Sequence, residues 1–160
     1  MRTTGTPGTP GTMYDMERVR TLQYSMGQRY KSRSARDNFS ELISAAEAGV
    51  PSVITRDHPV ATIDARMLEE LLATRAPFDV LSSVTDDQVA FWLADGSAHA
   101  VGPDLGSATE GFLDALIDYA QSWFDDLRDA PNHAQNRWLV LRIALHAGDR
   151  EELENTVFGD

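Results

Sequence analysis

Four cations fall within eight residues, Arg29, Lys31, Arg33 and Arg36, with Asn38 just beyond them and Arg56 twenty residues further on. Guanidinium and ammonium groups at this density suit a polyanion: they pair with phosphate, and Arg can also address guanine through two parallel hydrogen bonds. The same arginines could instead be solvated, or bridge to Asp37 and Glu41. Catalytic chemistry has less to build on. His58, His99, His133 and His146 are scattered, without the helical or hairpin spacing of metal ligands. Asp125-Asp126 and Glu151-Glu152 are adjacent pairs, which point to different faces of a helix and do not converge as an acid/base couple. Cysteine is absent, so neither a disulfide nor a thiolate metal site can form. Gly5, Gly8 and Gly11 recur with Thr and Pro, which reads as a flexible arm and not a phosphate loop. No catalytic residue, metal site or cofactor is expected. Trp92, Trp123 and Trp138 read as core or partner-facing anchors.

The elements that must position the cations can be read from periodicity. Residues 1–25 lack apolar spacing and are expected to form a disordered arm. Arg29, Tyr30 and Lys31 form a short extended piece leading to Ser32 and Ser34, either of which can cap a helix. In that helix Phe39, Leu42, Ile43 and Ala46 recur at i, i+3, i+4 and i+7, and Gly49 and Pro51 end it. Ser52–Thr55 and Val60–Asp64 read as a hairpin around Arg56–Pro59, and Ala65–Thr74 as a second helix. The result is a β-α-β-β-α unit over residues 26–76, small enough that dimerisation is the expected source of further burial. Past a junction at Arg75-Ala76-Pro77, strands are expected at 80–84, 88–93 and 98–101. A capping-box pattern, Ser107 to Glu110, then opens a long helix to about Leu127. Helices at about 133–147 and 149–157 follow, so residues 78–160 form a second unit and the fold class is α+β.

Charge divides along the same lines. Residues 1–36 hold seven basic and two acidic groups, a local charge of +5, whereas the other 124 residues hold seven basic and 23 acidic groups, or −16, for a total of −11. Such asymmetry implies two surfaces for two kinds of partner. No run approaches the length of a membrane span, and the N-terminus has no apolar signal segment, so a cytoplasmic protein without membrane contact is expected.

The run Ala35-Arg36-Asp37-Asn38-Phe39-Ser40-Glu41, followed by Glu47-Ala48-Gly49 and by Ile54-Thr55-Arg56, resembles the N-terminal domain of Phd/YefM (prevent-host-death) antitoxins in order and spacing. The similarity covers about residues 29–74. It implies a homodimer in which cations at the start of the first helix contact operator DNA and autorepress the operon. By position, Arg33 and Arg36 would be the main contacts, with Asn38 beside them and Arg56 in support; Arg29 and Lys31 belong to the same basic cluster. It also implies neutralisation of a cognate toxin, RelE-like or Doc-like, by direct binding. Typical members end in a short toxin-wrapping segment, but this chain continues for more than 80 patterned residues, which are expected to be the toxin-interaction domain. The charge pattern also leaves open a protein-interaction adaptor or orphan immunity protein without DNA binding.

Overall fold

A computed structural model of the protein describes residues 28–159; the arm expected over residues 1–25 lies outside them. Two compact units divide between Asp64 and Ala65, and together they give the expected α+β fold.

In the first unit, β1 (Arg29–Lys31) runs without a loop into α1 (Ser32–Asp37), then α2 (Phe39–Glu47), β2 (Ser52–Thr55) and β3 (Pro59–Thr62). The sheet order is β1-β2-β3. β1 pairs parallel to β2, with Arg29 opposite Val53 and Lys31 opposite Thr55, and the two helices supply the crossover that a parallel pair requires. β2 and β3 form the expected hairpin, Ser52 opposite Thr62 and Thr55 opposite Pro59. Two local details depart from the sequence expectation. Neither serine caps the first helix: Lys31 occupies the N-cap position, with no side-chain cap bond. The helix also breaks at Asn38 (φ −114°, ψ 29°). There the carboxamide nitrogen donates to the Ser34 carbonyl at 2.8 Å, an alternative to the helical ladder that Asn makes readily. The end of α2 is as expected. Gly49 adopts φ 76°, its N–H reaches the Ala46 carbonyl at 2.9 Å, and Val50 N–H reaches Ala45 at 2.8 Å. This double closure needs a left-handed residue, which glycine adopts without steric cost.

The second unit begins with α3 (Ala65–Arg75). The antiparallel strands β4 (Val80–Val84), β5 (Val89–Leu93) and β6 (His99–Gly102) follow, then α4 (Leu105–Ser122), α5 (Arg137–His146) and α6 (Arg150–Phe158). β4-β5-β6 is the sheet order. Val89, Phe91 and Leu93 alternate inward along β5 and meet Phe112, Leu113 and Leu116 of α4, Val140 and Ile143 of α5, and Leu153 of α6 in one apolar core. Phe91, Phe112 and Phe158 stack at tilted angles, with centroids 5.0–6.0 Å apart, an arrangement that the ring quadrupoles favour. α4 starts two residues before the expected serine cap. Asp104, in extended conformation, accepts the Ser107 N–H at 2.8 Å, so the earlier and equally good acceptor takes the cap. That bond from Ser107 also holds the Asp104 carboxyl below its ordinary value. Past Ser122 the helix widens into a π-helical turn, Trp123–Leu127. α5 starts at Arg137, later than expected, because His133 is engaged outside a helix: its carbonyl accepts Trp123 Nε1–H at 2.8 Å, and its ring nitrogen lies 3.2 Å from the Tyr119 hydroxyl.

Candidate functional site

The parallel register decides which cations meet. Lys31 stands opposite Thr55, so Arg56, the next residue, projects from the same end of the sheet as the start of α1. Arg29, Tyr30, Lys31, Ser32, Thr55 and Arg56 line one concavity of about 580 Å³. Arg29 and Lys31 share a face of β1 because strand side chains alternate. Tyr30, half-buried, donates its hydroxyl to Gln28 Oε1, and its phenol is pushed up by burial and by the Glu41 carboxylate.

Arg33 and Arg36 lie outside the concavity. They are three residues apart on α1, hence on one side of the helix, and both are exposed. Among the described residues neither makes an ion pair with Asp37 or Glu41. Arg56 approaches Asp57 at 3.6 Å, with both side chains about four-fifths exposed; such a pair is worth little and yields to a competing anion. Asn38 is placed differently from the arginines. One N–H of its amide is committed to Ser34, leaving the second N–H and the carbonyl oxygen as its available groups. α1 has only six residues, so the phosphate-attracting power of this surface rests on side-chain charge more than on the helix dipole.

Tyr30, Ser32 and Thr55 complete the concavity and were not legible as site residues, since only the β1–β2 register brings them to it. A second cluster also escaped sequence reading. Glu69 of α3 accepts from Arg142 of α5 at 2.7 and 2.8 Å and from His146 at 2.9 Å. Arg142 and His146 sit four residues apart, a spacing that marks one helix face, but their partner lies more than 70 residues upstream. Within the described residues no group of three or more His, Asp or Glu side chains is placed to hold a metal ion, and no helix is long and apolar enough to cross a membrane.

With this geometry in hand, comparison with known proteins fixes the class. Residues 26–157 match the PHD-like family, described as antitoxin of toxin-antitoxin, RelE / RelB, TA system. The match spans both units, and the chain belongs to that family. No curated protein matches it. Among solved structures, the chain is similar to an antitoxin part of a proposed toxin/antitoxin system from Syntrophomonas wolfei subsp. wolfei. The two share 18 % identity and a TM-score of 0.57, over 81 % of this chain and 95 % of the other. At that identity the likeness is one of fold. Family membership makes this protein an antitoxin, with a toxin as its implied partner and a regulatory role.

Proposed function

We propose that this antitoxin acts in the Phd/YefM manner: a homodimer that binds operator DNA through Arg29, Lys31, Arg33, Arg36 and Arg56, represses its own operon, and neutralises a RelE-like or Doc-like toxin through residues 78–160. The observation that carries the DNA half is the gathering of five exposed cations onto β1, α1 and the end of β2 in a chain whose net charge is −11. Base readout falls to Arg36 and Arg33, which have no competing partner among the described residues, while the cations around the concavity suit backbone phosphate. Self-association is supported by the first unit's exposed apolar side chains. Phe39 is 65 % exposed, Val60 60 %, and Ile43 and Ile63 about 40 %, more than a small unit leaves to water without a partner.

Arg36→Ala tests the assignment. Gel shift with the DNA upstream of the operon should show operator binding weakened by about 1–3 kcal/mol, with dimerisation and melting temperature unchanged. Wild-type affinity should also fall steeply with salt, at a slope of roughly −0.9 per neutralised phosphate. Full operator affinity in the variant sinks the residue assignment. An intact protein that binds toxin and no operator sinks the DNA half, leaving the adaptor reading.

A further inference from the structure

The β4-β5-β6 sheet has two faces, and the core uses one. Val89, Phe91 and Leu93 point to α4 and are buried. By alternation and register the other face carries two cross-strand rows, Leu81-Trp92-His99 and Ser83-Ala90-Val101. Leu81 is 43 % and Val101 58 % exposed, His99 and Ser83 are exposed, and Ala90 and Trp92 are half-buried. Leu, Trp, Ala and Val thus share a face that an antiparallel sheet ordinarily gives to polar residues when it meets water. β4 is also an edge strand. Its sequence, Val-Leu-Ser-Ser-Val, has none of the charges, prolines or bulges that usually protect an exposed edge.

The border that the sheet and its own loops supply is negative. Asp79 and Asp95 stand at one end of the sheet and Asp86, Asp87 and Asp104 at the other, all exposed. Residues 77–104 contain no Lys or Arg. An apolar centre with an acidic rim selects a partner of the inverse pattern. DNA is excluded by charge. A second copy of the chain would bring carboxylates against carboxylates, and residues 1–27, with three arginines against Asp15 and Glu17, are close to neutral.

We propose that this outward face, with Trp92 at its centre, is where the toxin docks, and that the toxin presents an apolar patch bordered by Lys or Arg. The proposal rests on the reading above that residues 78–160 contact the toxin, and it names the surface. Aromatic anchors at the middle of an interface carry a disproportionate share of affinity, while the rim sets approach rate and salt dependence.

The experiment uses the full chain and the protein encoded by the adjacent reading frame as toxin, with affinity measured by calorimetry. Two variants are compared with wild type: Trp92→Ala, which removes the anchor, and Ser83→Arg, which places a cation on an exposed position facing a basic partner. Each is expected to lower toxin affinity about 30-fold or more while operator binding and the far-ultraviolet circular dichroism spectrum stay as in wild type. Should Trp92→Ala fold poorly, Ser83→Arg decides alone, because its site is exposed and outside the core. Wild-type toxin affinity in a folded Ser83→Arg protein overturns the docking face and leaves the toxin-contact reading intact. Toxin binding absent in wild type overturns both. Loss of self-association in place of toxin binding assigns the face to a second copy and overturns the proposal.

Discussion

Replacing Glu69 by alanine should destabilise the second unit by about 3 kcal/mol, and the structure gives the terms of that figure. One carboxylate oxygen accepts both Nε and Nη2 of Arg142, at 2.8 and 2.7 Å, and the other accepts Nε2 of His146 at 2.9 Å. The Arg142 side chain is 9 % exposed and that of His146 5 %. Without Glu69 the guanidinium would keep, among the described residues, the Ala76 carbonyl at 3.1 Å and the face of Phe78, 4.5 Å from the ring centroid. Stranding one member of a buried ion pair typically costs about 3–5 kcal/mol; Glu69 is itself 23 % exposed, so water can partly take its place, which puts the cost at the low end. His146 Nδ1 adds no rescue. It lies 3.0 Å from Glu152 Oε1 but out of hydrogen-bond alignment.

Urea unfolding followed by tryptophan fluorescence at pH 7 would measure the loss. The double variant Glu69→Leu/Arg142→Met should recover most of it, since well-packed apolar residues commonly replace a buried pair at little cost. pH supplies a second test. Burial would raise the Glu69 carboxyl from its ordinary 4.5, but hydrogen bonds and charge from Arg142 and His146 outweigh burial and lower it. A carboxyl depressed in the folded state contributes stability in full above its unfolded value. That contribution declines as the pH falls past 4.5 and is gone below the folded value. The gap between wild type and Glu69→Gln should therefore close between about pH 4.5 and the onset of acid unfolding. A Glu69→Ala protein within about 1 kcal/mol of wild type at pH 7 would refute the reasoning, because the pair would then be dispensable where the geometry makes Glu69 the sole charged partner of Arg142 among the described residues.

Two further outcomes follow from the packing. A Cβ added at Gly102 would stand 2.5 Å from the Ala108 nitrogen and 2.8 Å from the Ser107 carbonyl carbon, so Gly102→Ala must push the start of α4 off β6 and should lower stability by about 1–3 kcal/mol, read as a lower urea midpoint. A fragment of residues 65–160 should unfold cooperatively, whereas residues 78–160, which lack Glu69 and so strand Arg142 and His146, should show a lower and broader melt; equal melts for the two would mean that α3 adds nothing to the unit.

Most elements were legible because their signals are local. The i, i+3, i+4 spacing from Phe39 to Ala46, the Gly49 stop and the alternation of Val89, Phe91 and Leu93 each determine a segment within ten residues. Competition between near neighbours was harder to read: Asp104 outbids Ser107 for the cap, and Asn38 interrupts a helix that apolar spacing alone would continue. Burial was the least legible property. Phe39 and Ile43 belong to the apolar stripe yet stand exposed, since periodicity identifies a face without saying what covers it. At the basic surface, residue type and spacing were enough to single out the six candidates, but the β1–β2 register decided that Arg29, Lys31 and Arg56 share a concavity while Arg33 and Arg36 do not. The pairing of Glu69 with Arg142 and His146 depends on a contact across more than 70 residues, which no window on the sequence spans.

A chain of net charge −11 is a poor candidate for DNA binding if that charge is treated as a single quantity. The Debye length at physiological ionic strength is roughly 8 Å, so a bound polyanion feels the side chains around it and little of the remaining protein. Between residues 29 and 36 there are four cations and no carboxylate, and between 77 and 104 there are five carboxylates and no Lys or Arg. Each surface taken by itself carries a field of one sign, and each repels the partner the other would attract. Phosphate cannot settle on the acidic sheet, and a toxin with the basic rim proposed above would gain nothing from the arginine cluster. On the reading proposed above, segregation of charge along the chain would let one antitoxin take two partners without cross-reaction, using surface side chains that the core does not need.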